Sequence, residues 1–372
     1  MDGAFGMTCI RSAACNRAYP MRHTPMRASD ALVAGPAISA ELVAGDVDDY
    51  LRGLPGWEIE CTQISKDRFS GRTRYLKSGG LELFEKTTRG EMLQAGCTPC
   101  GTLTLGIPHI QSDFANHNGQ RLAAGDMIVL TPSSEFELRT PVLFNFLAVS
   151  VSLARIARHL DSNRALQWRD FAPGHSFVLS GTPTSILAAE IRRLLSGPGH
   201  IEADAHSHSP TTPATEILVQ AIAGALSCDI SCMNAYRSTE TRRRMVSRAR
   251  RYIASMINAP LRVSEICRNI GASPRTLQYS FIEVLGITPL AYIKVVRLNA
   301  ARRAIKGARQ GRPDIGDIAF QYGFTHLSKF ARDYKQAFGE LPSQTRDRIN
   351  PATRLDTHHS LSLVAGGLPE MS

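Results

Sequence analysis

One pattern is written twice between residues 263 and 349. The first copy reads Val263-Ser-Glu-Ile266, Gly271, Leu277, Phe281, Leu285-Gly286, Pro289. The second reads Ile315-Gly-Asp-Ile318, Gly323, Phe330, Tyr334, Phe338-Gly339, Pro342. Ile266 stands five residues before Gly271, and Ile318 five before Gly323. Leu277, Phe281 and Leu285 are spaced four and four, as are Phe330, Tyr334 and Phe338. Each copy closes on Gly with Pro three residues later, and the second carries one extra residue after Gly323. A short helix, a Gly turn and a second amphipathic helix make a helix-turn-helix unit, here in tandem.

The chemistry of each copy agrees with that geometry. Gly271 and Gly323 stand where a helix stops and the chain turns sharply, a place where glycine takes a positive φ at little steric cost. Ser273-Pro274 offers an N-cap followed by proline in the first helical position. Leu277, Phe281 and Leu285 form one apolar stripe that docks the second helix on the first. Arg275, Gln278 and Tyr279 lie off that stripe, as do Ser328, Lys329, Arg332 and Lys335 in copy two. The docked stripe leaves this second face for a partner, and its residue types suit a DNA major groove.

At 372 residues the chain exceeds one ordinary domain, so two are expected. Residues 245–349 hold 18 Lys or Arg against 7 Asp or Glu, a net of +11. Since the whole chain carries +10, everything else nets −1. The excess positive charge therefore sits on the repeats, as expected of a surface that meets phosphates. A merely solvated basic face is the blander reading, and the tandem repeat argues against it.

Eight Cys without framework spacing point to a reducing compartment, so a cytoplasmic, nucleoid-associated protein is expected. Cys97-Thr-Pro-Cys100 is a lone CxxC, with His109 and His117 following at poor ligand spacing. Two ordinary thiols in a strand region are expected there, and neither a metal nor a cofactor. The N-terminus has no long apolar run, so no signal peptide is read. Residues 142–154 are the most apolar run, but they include Asn145 and are too short to span a bilayer, so no membrane partner is expected.

Short strands are predicted at 57–64, 73–76, 81–87, 101–107, 127–131, 135–139 and 143–151, separated by turn signals such as Ser78-Gly-Gly80 and Asn116-His-Asn-Gly119. Strands so spaced suggest a barrel or jelly roll, which can enclose a small ligand. His109, Phe114, Glu135 and Phe136 are the candidate effector-binding residues. Amphipathic helices are predicted at 152–160, 184–195 and 215–226, with a Gly/Pro/Ser/His loop at 196–213 whose histidines are read as solvated. The division expected is 1–35 disordered, 36–165 a β domain, 166–228 a helical dimerisation or packing segment, 229–242 a linker, 243–350 the repeat domain and 351–372 a disordered tail. Within the repeat domain a first helix is predicted over 245–257, and a long one from Thr288-Pro289 to Lys306 joins the two units. About 18 residues at 1.5 Å each give about 27 Å, near the ~34 Å between successive major grooves. Both second helices would then enter adjacent grooves and favour a bent duplex.

The run Gly323-Phe-Thr-His-Leu-Ser-Lys-Phe330-Ala-Arg332-Asp-Tyr334-Lys335, with Phe338-Gly339 and Pro342-Ser343, resembles the signature of AraC/XylS-family transcription regulators. So does Ser273-Pro-Arg-Thr-Leu-Gln with Phe281, Gly286, Pro289, Tyr292, Arg297 and Ala300. Within that family the chain is similar to the ethanolamine-operon regulator subgroup through Ser247-Arg-Ala-Arg, Thr276-Leu-Gln, Leu285-Gly-Ile, Arg297-Leu-Asn-Ala and Glu135-Phe-Glu-Leu. The resemblance implies an α+β chain: an N-terminal cupin-like β half-barrel with trailing helices, then an all-α domain with helix-turn-helix units at about 263–285 and 315–338. Gly125-Asp126-Met-Ile-Val-Leu before Thr131-Pro132 resembles the cupin-type turn of the family's sensor domains. The paired histidines of a metal-binding cupin enzyme are missing, and His109 stands alone after Pro108.

By the same resemblance the chain is a sequence-specific DNA-binding transcriptional activator rather than an enzyme, answering to a small-molecule effector. Its partners would be promoter double-stranded DNA, a second copy in a homodimer, and RNA polymerase. Arg275, Gln278 and Tyr279 in one unit, and Ser328 and Arg332 in the other, correspond to base-reading positions. Arg suits guanine and Gln suits adenine. Tyr279 departs from the Arg of many relatives, which favours a thymine methyl or a phosphate there. Thr276, Lys294, Arg297, Lys329 and Lys335 correspond to phosphate-contacting or supporting positions, Arg297 alternatively to an internal ion-pair partner. The subgroup implies a small amine effector with a cobalamin co-signal. Two other readings stand beside this one: a constitutive regulator whose barrel only dimerises, and a cupin-like metalloenzyme with a basic appendage.

Overall fold

A computed structural model describes residues 38–52, 57–66, 68–78, 80–156, 158–159, 176–181, 184–196, 213–226, 236–307 and 314–348. The expected disordered ends, 1–35 and 351–372, lie outside the described residues, as do the histidines of the 196–213 loop.

The first part of the chain is mostly strand. It runs β1 (Ile38–Ala44), α1 (Val47–Arg52), β2 (Glu58–Gln63), β3 (Ser70–Ser78), β4 (Leu81–Arg89), β5 (Met92–Cys97) and β6 (Thr102–Gln111). Then follow β7 (Ala115–His117), β8 (Gln120–Leu122), β9 (Met127–Leu130), β10 (Glu135–Thr140), β11 (Leu143–Ser152), α2 (Leu153–Ile156) and β12 (Ser176–Leu179). They form two antiparallel sheets, one ordered β1-β3-β4-β11-β6-β9-β12 and the other β2-β5-β10-β7-β8. Period-two alternation decides what lies between the sheets. On β4, Phe84, Lys86 and Thr88 point into the gap, while Leu81 and Leu83 point the other way, into a core shared with the following helices.

Those helices are α3 (Ser185–Ser196) and α4 (Pro213–Ala225), close to their expected bounds. Leu187 and Ile191 of α3 and Leu218 and Ile222 of α4 cover the outer face of the larger sheet. The helix expected over 152–160 is shorter, because β11 continues through Ser152 and the helix ends at Ile156.

The second part is all-helical: α5 (Tyr236–Ser255), α6 (Val263–Ile270), α7 (Pro274–Leu285), α8 (Pro289–Gly307), α9 (Ile315–Gln321), α10 (Leu327–Phe338) and α11 (Pro342–Asp347). The first of these starts within the expected 229–242 linker and before the expected residue 245, since residues 236–244 contain no Gly or Pro to stop it. Two small cores follow the two repeats. Ala249, Ile253, Ile266, Leu277 and Phe281 pack in one, and Ile318, Ala319, Phe330, Tyr334 and Phe338 in the other. Helix α8 serves both, giving Tyr292 and Ile293 to the first and Leu298, Ala301 and Ile305 to the second.

The two parts are docked. Leu93 of β5 enters the core of the first repeat. Asn299 of α8 donates to the Gln63 carbonyl at 3.1 Å and accepts from the Gln63 N–H at 3.2 Å. Around this lies a set of ion pairs: Arg250–Glu137 at 2.6 Å, Arg302–Asp46 at 2.7 Å, Arg303–Asp48 at 2.7 Å and Lys306–Asp46 at 2.9 Å. Much of the basic charge expected to meet phosphates is thus engaged with carboxylates of the N-terminal part. Among the described residues no helix is long and apolar enough to cross a membrane.

Candidate nucleic-acid interface and ligand cavity

In the first repeat, Gly271 ends α6 at φ 68°, and its N–H bonds the Cys267 carbonyl. The chain then turns into α7, where Ser273 Oγ accepts from the Thr276 N–H at 3.0 Å. Leu277 and Phe281 are fully buried. That rotation leaves Arg275, Thr276, Gln278 and Tyr279 exposed on the opposite side. The Arg275 guanidinium lies 5.4 Å from the Tyr279 ring centre, so the two present a joined polar and aromatic surface.

The second repeat does the same with different capping. Asp314 caps α9, accepting from the Gly316 and Asp317 N–H groups, whereas His326 before α10 makes no side-chain cap bond. Phe330, Tyr334 and Phe338 are buried, and Ser328, Lys329, Arg332 and Lys335 are exposed. The Tyr334 hydroxyl, pushed up to about 12 by burial, donates to Thr345 Oγ1 at 2.8 Å and so ties α10 to α11. Two of the expected supporting residues are held within the domain. Lys294 pairs with Asp333 at 2.8 Å. Arg297 donates to the Ala259 carbonyl and packs against Gly323, where an added Cβ would lie 2.7 Å from its Nη1.

Between the sheets lies a cavity open to solvent, with about 650 Å³ of empty space when the open solvent is included. Trp57, Phe84, Phe136, Phe144 and Phe146 give it aromatic walls, and Lys86 and His117 are its titratable members besides Tyr50. Of the four candidate effector residues only Phe136 lines it. His109 and Phe114 are exposed, the latter under the Arg121 guanidinium. Glu135 instead faces Arg243 at 3.7 Å across the domain junction. A one-residue change of strand face separates Glu135 from Phe136, which is why residue type alone did not sort them. His117 is buried and pushed down to about 3 by burial and then by Arg243, so it stays neutral. Its Nε2 meets Ser176 Oγ, and its Nδ1 has no hydrogen-bond partner. The sequence signal for Lys86 was the alternation Phe84-x-Lys86-x-Thr88, though nothing local says which face is inward. Cys97 is half-buried, its Sγ 3.6 Å from the Thr98 carbonyl, and Cys100 is exposed.

Comparison with known proteins converges on the helical part. Residues 266–348 match the family described as "Helix-turn-helix domain". The chain is 38% identical over 93 residues to the "Probable thc operon regulatory protein" of Rhodococcus erythropolis, a match covering 25% of this chain and 28% of that protein. It is 28% identical over 131 residues to the "XylDLEGF operon transcriptional activator 2" of Pseudomonas putida, covering 35% of this chain and 81% of the relative. The Rhodococcus match thus spans little more than a quarter of that relative's length. Among solved structures, an AraC-type DNA-binding domain protein from Chromobacterium violaceum aligns at 26% identity and TM-score 0.28, over 30% of this chain and 97% of that one. The paired units therefore constitute a helix-turn-helix DNA-binding domain. In this domain the chain is similar to AraC-family transcriptional regulators, and in front of it lies an N-terminal part built of antiparallel sheets.

Proposed function

We propose that the protein is a sequence-specific transcription regulator, an activator, whose DNA-binding domain is controlled by a small molecule held between the N-terminal sheets. The observation that carries this is the pair of exposed polar faces on α7 and α10, mounted on one rigid helix. Helix α8 has 19 residues, about 28 Å at 1.5 Å per residue, which suits adjacent major grooves about 34 Å apart if the duplex bends. Arg275, Gln278, Tyr279, Ser328 and Arg332 read base edges, and Thr276, Lys329 and Lys335 meet phosphates. Lys294 and Arg297 support from within.

The route from cavity to DNA runs through β10. Its Phe136 and Leu138 line the cavity, while its Arg139 donates to the Gly286 carbonyl at the end of α7 at 3.3 Å. Asn116 of β7 donates to the Glu283 carbonyl of the same helix at 3.2 Å. A ligand that moves β10 moves the first reading helix. Homodimerisation through α3 and α4 is consistent with the exposed Ile186 and Ile217 on them. An activator bound beside a promoter would also contact RNA polymerase. The subgroup resemblance supports a catabolic promoter as the target. The amine it implies as effector is disfavoured by Lys86, a like charge inside the cavity.

The test is selection of binding sites from random duplexes by the full-length protein. A recurrent bipartite motif with half-sites about one helical turn apart is expected, and its absence overturns the reading. Arg332→Ala should cost about 1–3 kcal/mol on the selected site and relax one base position. Equal loss on selected and random DNA would remove Arg332 from the base-reading set.

A further inference from the structure

We propose that the inter-sheet cavity takes an apolar carboxylate, its acid group at Lys86 and its hydrocarbon body against the aromatic wall. This rests on reading the N-terminal domain as a sensor and names the class of compound sensed.

Lys86 sits on the inner face of β4 between Phe84 and Thr88, with Thr73 and Phe146 beside it on the neighbouring strands. Its Nζ lies 5.5 Å from the Phe84 ring centre. Among the described residues no carboxylate comes within ion-pair distance of it, whereas Lys77 and Lys294 each have one and Lys306 has two. The acidic residue on the same face, Glu82, is already engaged: it pairs with Lys77 at 3.2 Å and accepts from the Trp57 indole N–H at 3.3 Å. The Cys61 thiol beside Lys86 is pushed up to about 12 by burial, so it supplies no thiolate. Burial in turn pushes the Lys86 ammonium down to about 8. A cation on an apolar wall with no internal counter-charge costs free energy that packing does not return. An anion entering from outside returns it.

The walls decide which anion. One ammonium beside Phe84 and Phe146 supplies a single positive charge, which balances a carboxylate but leaves a phosphate dianion half uncompensated. An amine would meet a like charge. The neutral His117 imidazole, with Nδ1 unpartnered, adds one hydrogen bond for a hydroxyl or amide on the body of the ligand.

Binding of matched triples to the full-length protein tests this: phenylacetate, cinnamate and octanoate, each against its amide and its amine, by calorimetry and thermal shift. At least one acid should bind about tenfold tighter than its amide, with the amine weakest. Lys86→Met should bring acid and amide level, and Lys86→Arg should keep the preference. The inference is overturned if Lys86→Met retains the acid preference, or if amide or amine binds as tightly as the acid. It is also overturned if no acid binds. Ala148→Leu, which narrows the cavity, separates this from the sensor reading. Amide or amine binding lost in that variant sinks the carboxylate and keeps the sensor. A panel in which nothing binds, together with unchanged promoter regulation in Ala148→Leu cells, sinks both.

Discussion

Arg297 and Lys329 carry the same charge in the same domain, but their surroundings assign them different tasks. Arg297 is half-buried, bonded to the Ala259 carbonyl and pressed on the Gly323 turn. Lys329 is exposed at the start of α10. Arg297→Ala should therefore lower stability by about 1 kcal/mol, the order expected for losing a charged donor to a part-buried acceptor, and leave the salt slope of DNA binding unchanged. Lys329→Ala should do the reverse, with full stability and a slope reduced by about one. Thermal melts and a salt titration of each variant decide the matter. Which arginine turns inward was not legible in the sequence, because the contact joins residues 38 apart. The apolar stripe needed only local spacing and was legible in full.

Helices α7 and α10 are copies that start differently. Ser273 caps α7 with a direct bond to the Thr276 N–H, while His326 leaves α10 without a side-chain cap. Ser273→Ala should cost about 1 kcal/mol. His326→Ser should return a similar amount, read as a rise in melting temperature, and no rise would mean that the α10 start is satisfied in another way. Both helices were plain in the sequence, since Gly turns, caps and a four-residue stripe are all local signals. The sheets were less so. Strand β5 is buried on both faces over Met92–Ala95 and shows no alternation to find. Strands β7 and β8 have three residues each around Asn118 and Gly119, both at positive φ, so the sequence displays the turn and hides the strands. Edge strand β1 is half exposed and its pattern is weak.

The whole molecule is held by charge across its two parts, and this has a pH consequence. Burial alone would raise the Asp46 carboxyl, but Arg302 and Lys306 outweigh it and hold the group below the ordinary carboxylate range. A depressed carboxylate contributes its full share above its unfolded value of about 4 and loses it as pH falls through the lower, docked value. Acidification below about pH 4 should therefore loosen the docking, seen as a larger radius of gyration in solution scattering. Asp46→Asn should give the same expansion at neutral pH, where wild type stays compact. Charge counting located the basic excess on the repeats correctly. It did not show that Arg250, Arg302, Arg303 and Lys306 face Glu137, Asp46 and Asp48, for those partners lie more than 100 residues away in sequence.

Strand β10 is one rigid bar with the cavity on one side and the end of α7 on the other. Under the proposed function, a bar so placed makes traffic run both ways. Whatever factor the occupied cavity applies to the grip on an operator, the operator must apply to the grip on the small molecule, because the two routes round the cycle share their end points. Titrating the compound with and without bound duplex should give the same ratio as titrating duplex with and without the compound. A chain with a severed bar, as in Arg139→Ala, should bring both ratios towards one.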